Sequence, residues 1–238
     1  MSMHTVDWAG LRPRAEPSAA EGLRERKKRL MRQQLSDTAT VMFLERGFDA
    51  VRVAEIAEAC DVSEKTVFNY FPTKEALILD LGESTLASLR ADLADPALSP
   101  VQATLRILAR ELGAMTSWLA AQEDQAEARA LVLRFGMLIR STPSLRAYQH
   151  EMTERLVAAA ADALAARAGL DPAEPEPQIA ASALLGLWPI QFQALGRALK
   201  QGLTPEQVHT AVTAAVERAA RFLDDGMGAF APAPAPAR

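Results

Sequence analysis

The sequence predicts an all-α fold on three observations. Ala, Leu, Arg, Glu and Gln dominate the middle of the chain, the alternation of Val, Ile, Thr and aromatics that marks strands is missing, and helix punctuation recurs at regular intervals. With 49% apolar residues in 238, the chain has enough material for a core. Three helix starts are clear. Ser99-Pro100-Val101-Gln102 and Thr204-Pro205-Glu206-Gln207 each set a hydroxyl cap, a proline at the first helical position and a glutamine at the third, and Thr142-Pro143 does the same without the glutamine. Stops fall at Gly47, Asp95-Pro96, Gly169 to Pro177, Gly202 and Gly226. Together they predict about nine helices, at 25–46, 53–60, 64–70, 73–94, 100–120, 123–141, 143–168, 177–201 and 205–225.

Residues 1–23 mix prolines, Gly10, Ser18 and alanines without an apolar period, and are expected to be a disordered arm. The end, 227–238, alternates Ala and Pro and is expected to be a disordered tail. Short helices at the front and long ones behind place a boundary near residue 80, giving a front unit at 24–80 and a back unit at 81–226.

Charge limits what the chain can hold. Its 26 basic and 30 acidic side chains give −4, so no global cationic field exists and any contact with a polyanion must come from a local patch. One such patch runs from Arg24 to Arg32, where Arg24, Arg26, Lys27, Lys28, Arg29 and Arg32 face only Glu25. The single cysteine, Cys60, cannot form an internal disulfide, the N-terminus lacks a secretory pattern, and no stretch of ~18 residues is apolar without a charge. A cytoplasmic protein with no membrane span is expected.

In the front unit, Leu35, Ala39, Met42 and Phe43 share one face of the first helix. Val53, Ile56, Ala57 and Cys60 repeat the pattern on a helix too short to be stable alone. Asp61-Val62 follows, and Ser63 can cap a third helix with Glu64 at its positive end. Two short helices joined by so tight a turn make a helix-turn-helix. With Val62, Val67 and Phe71 facing inward, Lys65, Thr66, Asn69 and Tyr70 are left for a major groove about 12 Å wide and its walls. Asn matches adenine, Lys a guanine or phosphate, and Thr a hydroxyl partner or a thymine methyl. Tyr70 and Lys74 are better placed for phosphate.

The run Gly47 to Leu77, GFDAVRVAEIAEACDVSEKTVFNYFPTKEAL, closely resembles the N-terminal DNA-binding domain of the tetracycline-repressor (TetR) family of transcriptional regulators. Phe43, Gly47-Phe48, Ile56-Ala57, Val62-Ser63, Thr66-Val67, Tyr70-Phe71 and Lys74-Glu75 fall at the family's spacing, over roughly residues 30–80. The resemblance implies an all-α homodimer whose two heads read a near-palindromic double-stranded operator, and a divergent back domain that binds a small effector. By position, Lys65, Thr66 and Asn69 are then base-reading candidates, Tyr70 and Lys74 backbone clamps, and Ser63 a further contact. Three positions depart from the pattern. Arg52 replaces a capping Thr and can supply a cation to phosphate, Phe68 stands where Tyr is usual, and Ala76 replaces the acid that would complete a box with Thr73. The basic run, with Lys27 and Lys28, is either a solvated first turn or an arm that reaches phosphate.

In the back unit, Val208, Ala211, Val212, Ala215, Val216, Ala219 and Phe222 form one stripe of the last helix. Ile179, Ala183, Leu187, Ile190, Leu195 and Leu199 form another on the helix before, where Pro189 is expected to kink it. The two helices are expected to pair with those of a second copy in a four-helix bundle, or else to serve the core of one chain. An effector pocket would draw on Met115, Trp118, Phe135, Met137, Trp188 and Phe192, with Arg134, Tyr148, His150 and Gln191 as polar groups.

Enzyme signatures are missing: the chain has no phosphate loop, no Gly-x-Ser-x-Gly and no zinc-spaced Cys and His set. His150-Glu151-Met152-Thr153-Glu154 lacks the second histidine of the helical zinc motif, and Cys60 reads as a small buried hydrophobe. Neither a metal nor a cofactor is expected. The expected function is a ligand-responsive transcriptional regulator, most simply a repressor released by its effector. The alternative is a helical small-molecule sensor without operator affinity, to which the net negative charge and Glu64 at the groove end point.

Overall fold

A computed structural model describes residues 22–79 and 82–224. Among these residues there are ten α-helices, one 3-10 turn and no strand. The helices are α1 (Leu23–Arg46), α2 (Val53–Ala59), α3 (Glu64–Tyr70), α4 (Gly82–Ala94), α5 (Pro100–Ala120), α6 (Gln125–Ser141), α7 (Pro143–Ala168), α8 (Pro175–Leu185), α9 (Leu187–Lys200) and α10 (Pro205–Asp224). The expected arm lies outside the described residues but for Gly22 and the start of α1 at Leu23, and the expected Ala-Pro tail lies outside them entirely. The chain divides into two compact units, one within Met1–Leu81 and Ala130–Gln149, the other within Gly82–Arg129 and His150–Arg238.

In the first unit α1 packs on α2, and α2 on α3. Leu35, Ala39 and Phe43 of α1 meet Phe48, Val51, Ile56, Val67 and Phe71 in a core where each of these is at most 4% exposed. The Phe43 and Phe48 rings lie 4.8 Å apart with their planes tilted by 50°, within the centroid spacing that aromatic pairs favour. Gly47 ends α1 at φ 86, a conformation that strains any residue with a Cβ.

The helix expected over 73–94 is interrupted. Residues Glu75–Leu77 form a 3-10 turn and α4 begins only at Gly82. Ala76, Leu77, Ile78 and Leu79 are all buried in succession. An α-helix rotates 100° per residue and would spread four consecutive side chains around most of its circumference, so burying all four takes protein on every side and not one buried stripe. Ser36 of α1 donates to the Leu77 carbonyl at 2.6 Å and secures the turn from below.

In the second unit α5 lies between α4, α8 and α10, and α9 packs along α10. Ser99 and Gln102 close both halves of their box, at 3.1 and 2.8 Å. Arg167 of α7 donates to the carbonyls of Leu93, Asp95 and Leu98, pinning the α4–α5 turn. The helix expected over 177–201 is two helices, α8 and α9, with the break at Gly186 and not at Pro189. Proline lacks the N–H that would reach the carbonyl four residues back and its ring crowds that carbonyl, so the disturbance from Pro189 falls at Leu185. By length and the mean hydropathy (1.3) of an 18-residue window the stretch Pro175–Lys200 could cross a membrane, but half of that window is buried, as in the core helices of soluble proteins.

Candidate nucleic-acid interface

Helix α3 has seven residues, and Ser63 starts it by accepting the Thr66 N–H at 3.1 Å. The turn before it passes through Asp61 at φ 54, a left-handed position that Asp tolerates better than most residues. Successive steps of 100° place Val67, 1% exposed, on one side, and Lys65 and Asn69 one turn apart on the other. Both are exposed. Phe68 lies at the edge of this outer face with 47% of its surface in solvent. Thr66 lies at the opposite edge, where its hydroxyl shares a 2.9 Å hydrogen bond with that of Ser63. The structure thus brings Lys65, Asn69 and Phe68 together on one free face and gives Ser63 and Thr66 a first task in starting the helix.

Arg52 caps α2 without a hydroxyl. Glu55 supplies the other half of the box: its carboxylate accepts the Arg52 N–H at 2.8 Å and the Arg46 guanidinium at 2.7 Å. These two bonds, the backbone one first, hold its pKa down to about 2. The Arg52 side chain itself remains 80% exposed.

One expected DNA-facing group, Lys74, is engaged within its own unit. The ammonium of Lys74 donates to the Phe48 carbonyl at 2.6 Å and sits 4.3 Å from the centre of the Phe48 ring and 5.5 Å from that of Phe43. Desolvation there lowers its pKa. Tyr70 is half-buried and its carbonyl accepts from the Arg32 guanidinium, which stacks 4.5 Å from the centre of the Phe71 ring. Lys27 and Lys28, with Arg24 and Arg26, are exposed on the first turns of α1.

The candidate effector residues fall in both compact units. Phe135 belongs to the unit that holds the helix-turn-helix, whereas Met115, Trp118, Trp188 and Phe192 belong to the other. Of these, Trp118 is buried, Met115 and Trp188 are half-buried, and Phe192 is 51% exposed. Sequence reasoning missed Glu111. Its carboxylate accepts the Trp188 indole N–H at 2.9 Å and the Thr85 hydroxyl at 3.0 Å, joining α5 to α9 and α4. The signal was available: an acid stands in the apolar stripe formed by Ile107, Leu108, Leu112 and Met115. Desolvation raises the Glu111 pKa, against the pull of its two donors. For an acid raised on folding, the native state holds the proton longer, so stability falls as pH rises from the ordinary value of 4.5 to the raised one and is level above it. Urea titrations across pH should therefore show E111Q lacking that decline, which is about 1.4 kcal/mol for each pH step of one across the interval. Parallel curves for the two proteins would deny Glu111 this role.

The stripes expected to face a second copy are split. Val208, Val212, Val216, Leu187, Leu195 and Leu199 are buried in this chain's own core, while Ile179 is 71% and Phe222 87% exposed.

Two family models match the sequence: bacterial regulatory proteins of the tetR family over residues 35–81, and the MftR C-terminal domain over residues 110–227. The HTH-type transcriptional regulator TcmR of Streptomyces glaucescens is 32% identical over 154 residues, which are 63% of this chain and 66% of that protein. LuxR of Vibrio harveyi is 49% identical over 47 residues, 20% of this chain and 23% of that one. The chain thus spans less than two thirds of the length of the curated relatives it matches. Among solved structures, a TetR-family regulator of Streptomyces coelicolor A3 is 23% identical with a TM-score of 0.43, over 84% of this chain and 99% of that one. Thermus thermophilus FadR, a TetR-family repressor solved with lauroyl-CoA, is 24% identical with a TM-score of 0.43, over 87% and 98%.

Proposed function

Because the chain belongs to the TetR family of transcriptional regulators, we propose that it is a cytoplasmic, ligand-responsive repressor that binds a near-palindromic operator as a homodimer and is released by a small effector. The observation that carries the reading is the free outer face of α3, where Lys65 and Asn69 stand one turn apart above a buried Val67. Exposed Ile179 and Phe222 supply apolar surface for a second copy, and two heads about 34 Å apart would match one turn of duplex. Lys27 and Lys28 supply phosphate contacts. Release requires the effector to prefer the conformation that does not bind DNA, because equal affinity for both would shift nothing.

Selection of bound duplex from random sequence, followed by gel shifts across a salt series, tests this. A palindromic consensus is expected, and K27Q with K28Q should flatten the slope of log K against log salt by ~0.9 for each phosphate no longer neutralised. No retardation of any duplex would favour a sensor that does not bind operators.

A further inference from the structure

We propose that Arg32 is a positioning residue for DNA binding, one that acts through α3 and touches no phosphate. This rests on the reading of α3 as the recognition helix. By sequence Arg32 closes the basic run and counts as one of its charges, yet it is half-buried where Lys27 and Lys28 are exposed. Its guanidinium donates to the carbonyl of Tyr70, the last residue of α3, and lies over the ring of Phe71, the residue that follows. The final carbonyls of a helix lack intrahelical donors and carry the negative end of its dipole, so a cation is well placed there. A seven-residue helix has little stability of its own, and its position is set by what grips it. Ser63 holds the N-terminal end. Arg32 holds the other at two points, the carbonyl fixing the height of the helix on α1 and the ring fixing its roll. Lys74 does parallel work beneath, on the Phe48 carbonyl and ring. Base readout tolerates little displacement of the side chains that perform it, so a loose C-terminal end of α3 would cost specific binding before it cost attraction to phosphate.

The test uses the full-length protein, its selected operator and an unrelated duplex, with R32Q and R32M measured across a salt series. Gln keeps a donor for the Tyr70 carbonyl without the charge, and Met keeps a stem over Phe71 without the donor. Operator affinity should fall from wild type to R32Q to R32M, by roughly tenfold for R32M given a charge-assisted bond of the usual strength. The salt slope and the affinity for the unrelated duplex should stay unchanged, and amide exchange along α3 should quicken. A slope flattened by ~0.9 per subunit would make Arg32 a phosphate ligand and overturn the proposal. Wild-type operator affinity in R32M would also overturn it. If R32M does not fold, the slope of R32Q decides alone. If the wild type binds no duplex, it is the DNA-binding reading that has failed, and amide exchange then decides the clamp: unchanged exchange in both variants removes it.

Discussion

Replacing Lys65 and Asn69 together with alanine abolishes specific operator retardation and leaves the fold intact. Both side chains are exposed on α3, so their removal opens no cavity in the core. A good base contact is worth about 1–3 kcal/mol, and a two-fold operator presents each contact twice, so the double variant should bind its site at least about 10³-fold more weakly. Weak, salt-sensitive binding to any duplex should persist, because the α1 cations are untouched. Circular dichroism should overlay that of the wild type. A double variant that shifts the selected operator at the wild-type midpoint would show that the outer face of α3 does not read bases.

Phe71→Ala should be the most destabilising single change in the helix-turn-helix. The ring is fully buried, terminates α3 and lies under the Arg32 guanidinium, so its removal opens a cavity and strips the clamp at once. Large aromatic truncations in a core cost about 3–5 kcal/mol. Phe68→Ala, three residues earlier and within α3, removes an identical side chain that is half in solvent and should cost less than about 1 kcal/mol. Chemical unfolding of the two variants provides the comparison, and equal losses would contradict the burial pattern that separates inner from outer face.

Features whose partners lie three or four residues apart could be read from the sequence. The Ser99–Gln102 and Thr204–Gln207 boxes form as their spacing implies, and Ser63 caps α3. The break between α8 and α9 was half legible: Pro189 announces a disturbance, but the missing bond belongs to the carbonyl four residues earlier. What escaped depends on distant partners. Lys74 meets Phe48 across 26 residues and Glu111 meets Trp188 across 77, and no local pattern encodes either meeting. Charge counting added Arg32 to a surface patch because Tyr70 lies 38 residues away. The run Ala76–Leu79 misled for the opposite reason, since helix-forming residues there are held by burial on all sides and not by a helical stripe.

Glu55 keeps its charge to about pH 2, so the open end of α2 stays sealed in media sour enough to neutralise an ordinary carboxyl at 4.5. In the same range the burden of a charged Glu111 has gone. With respect to these two groups, acidification spares the joint that carries α3.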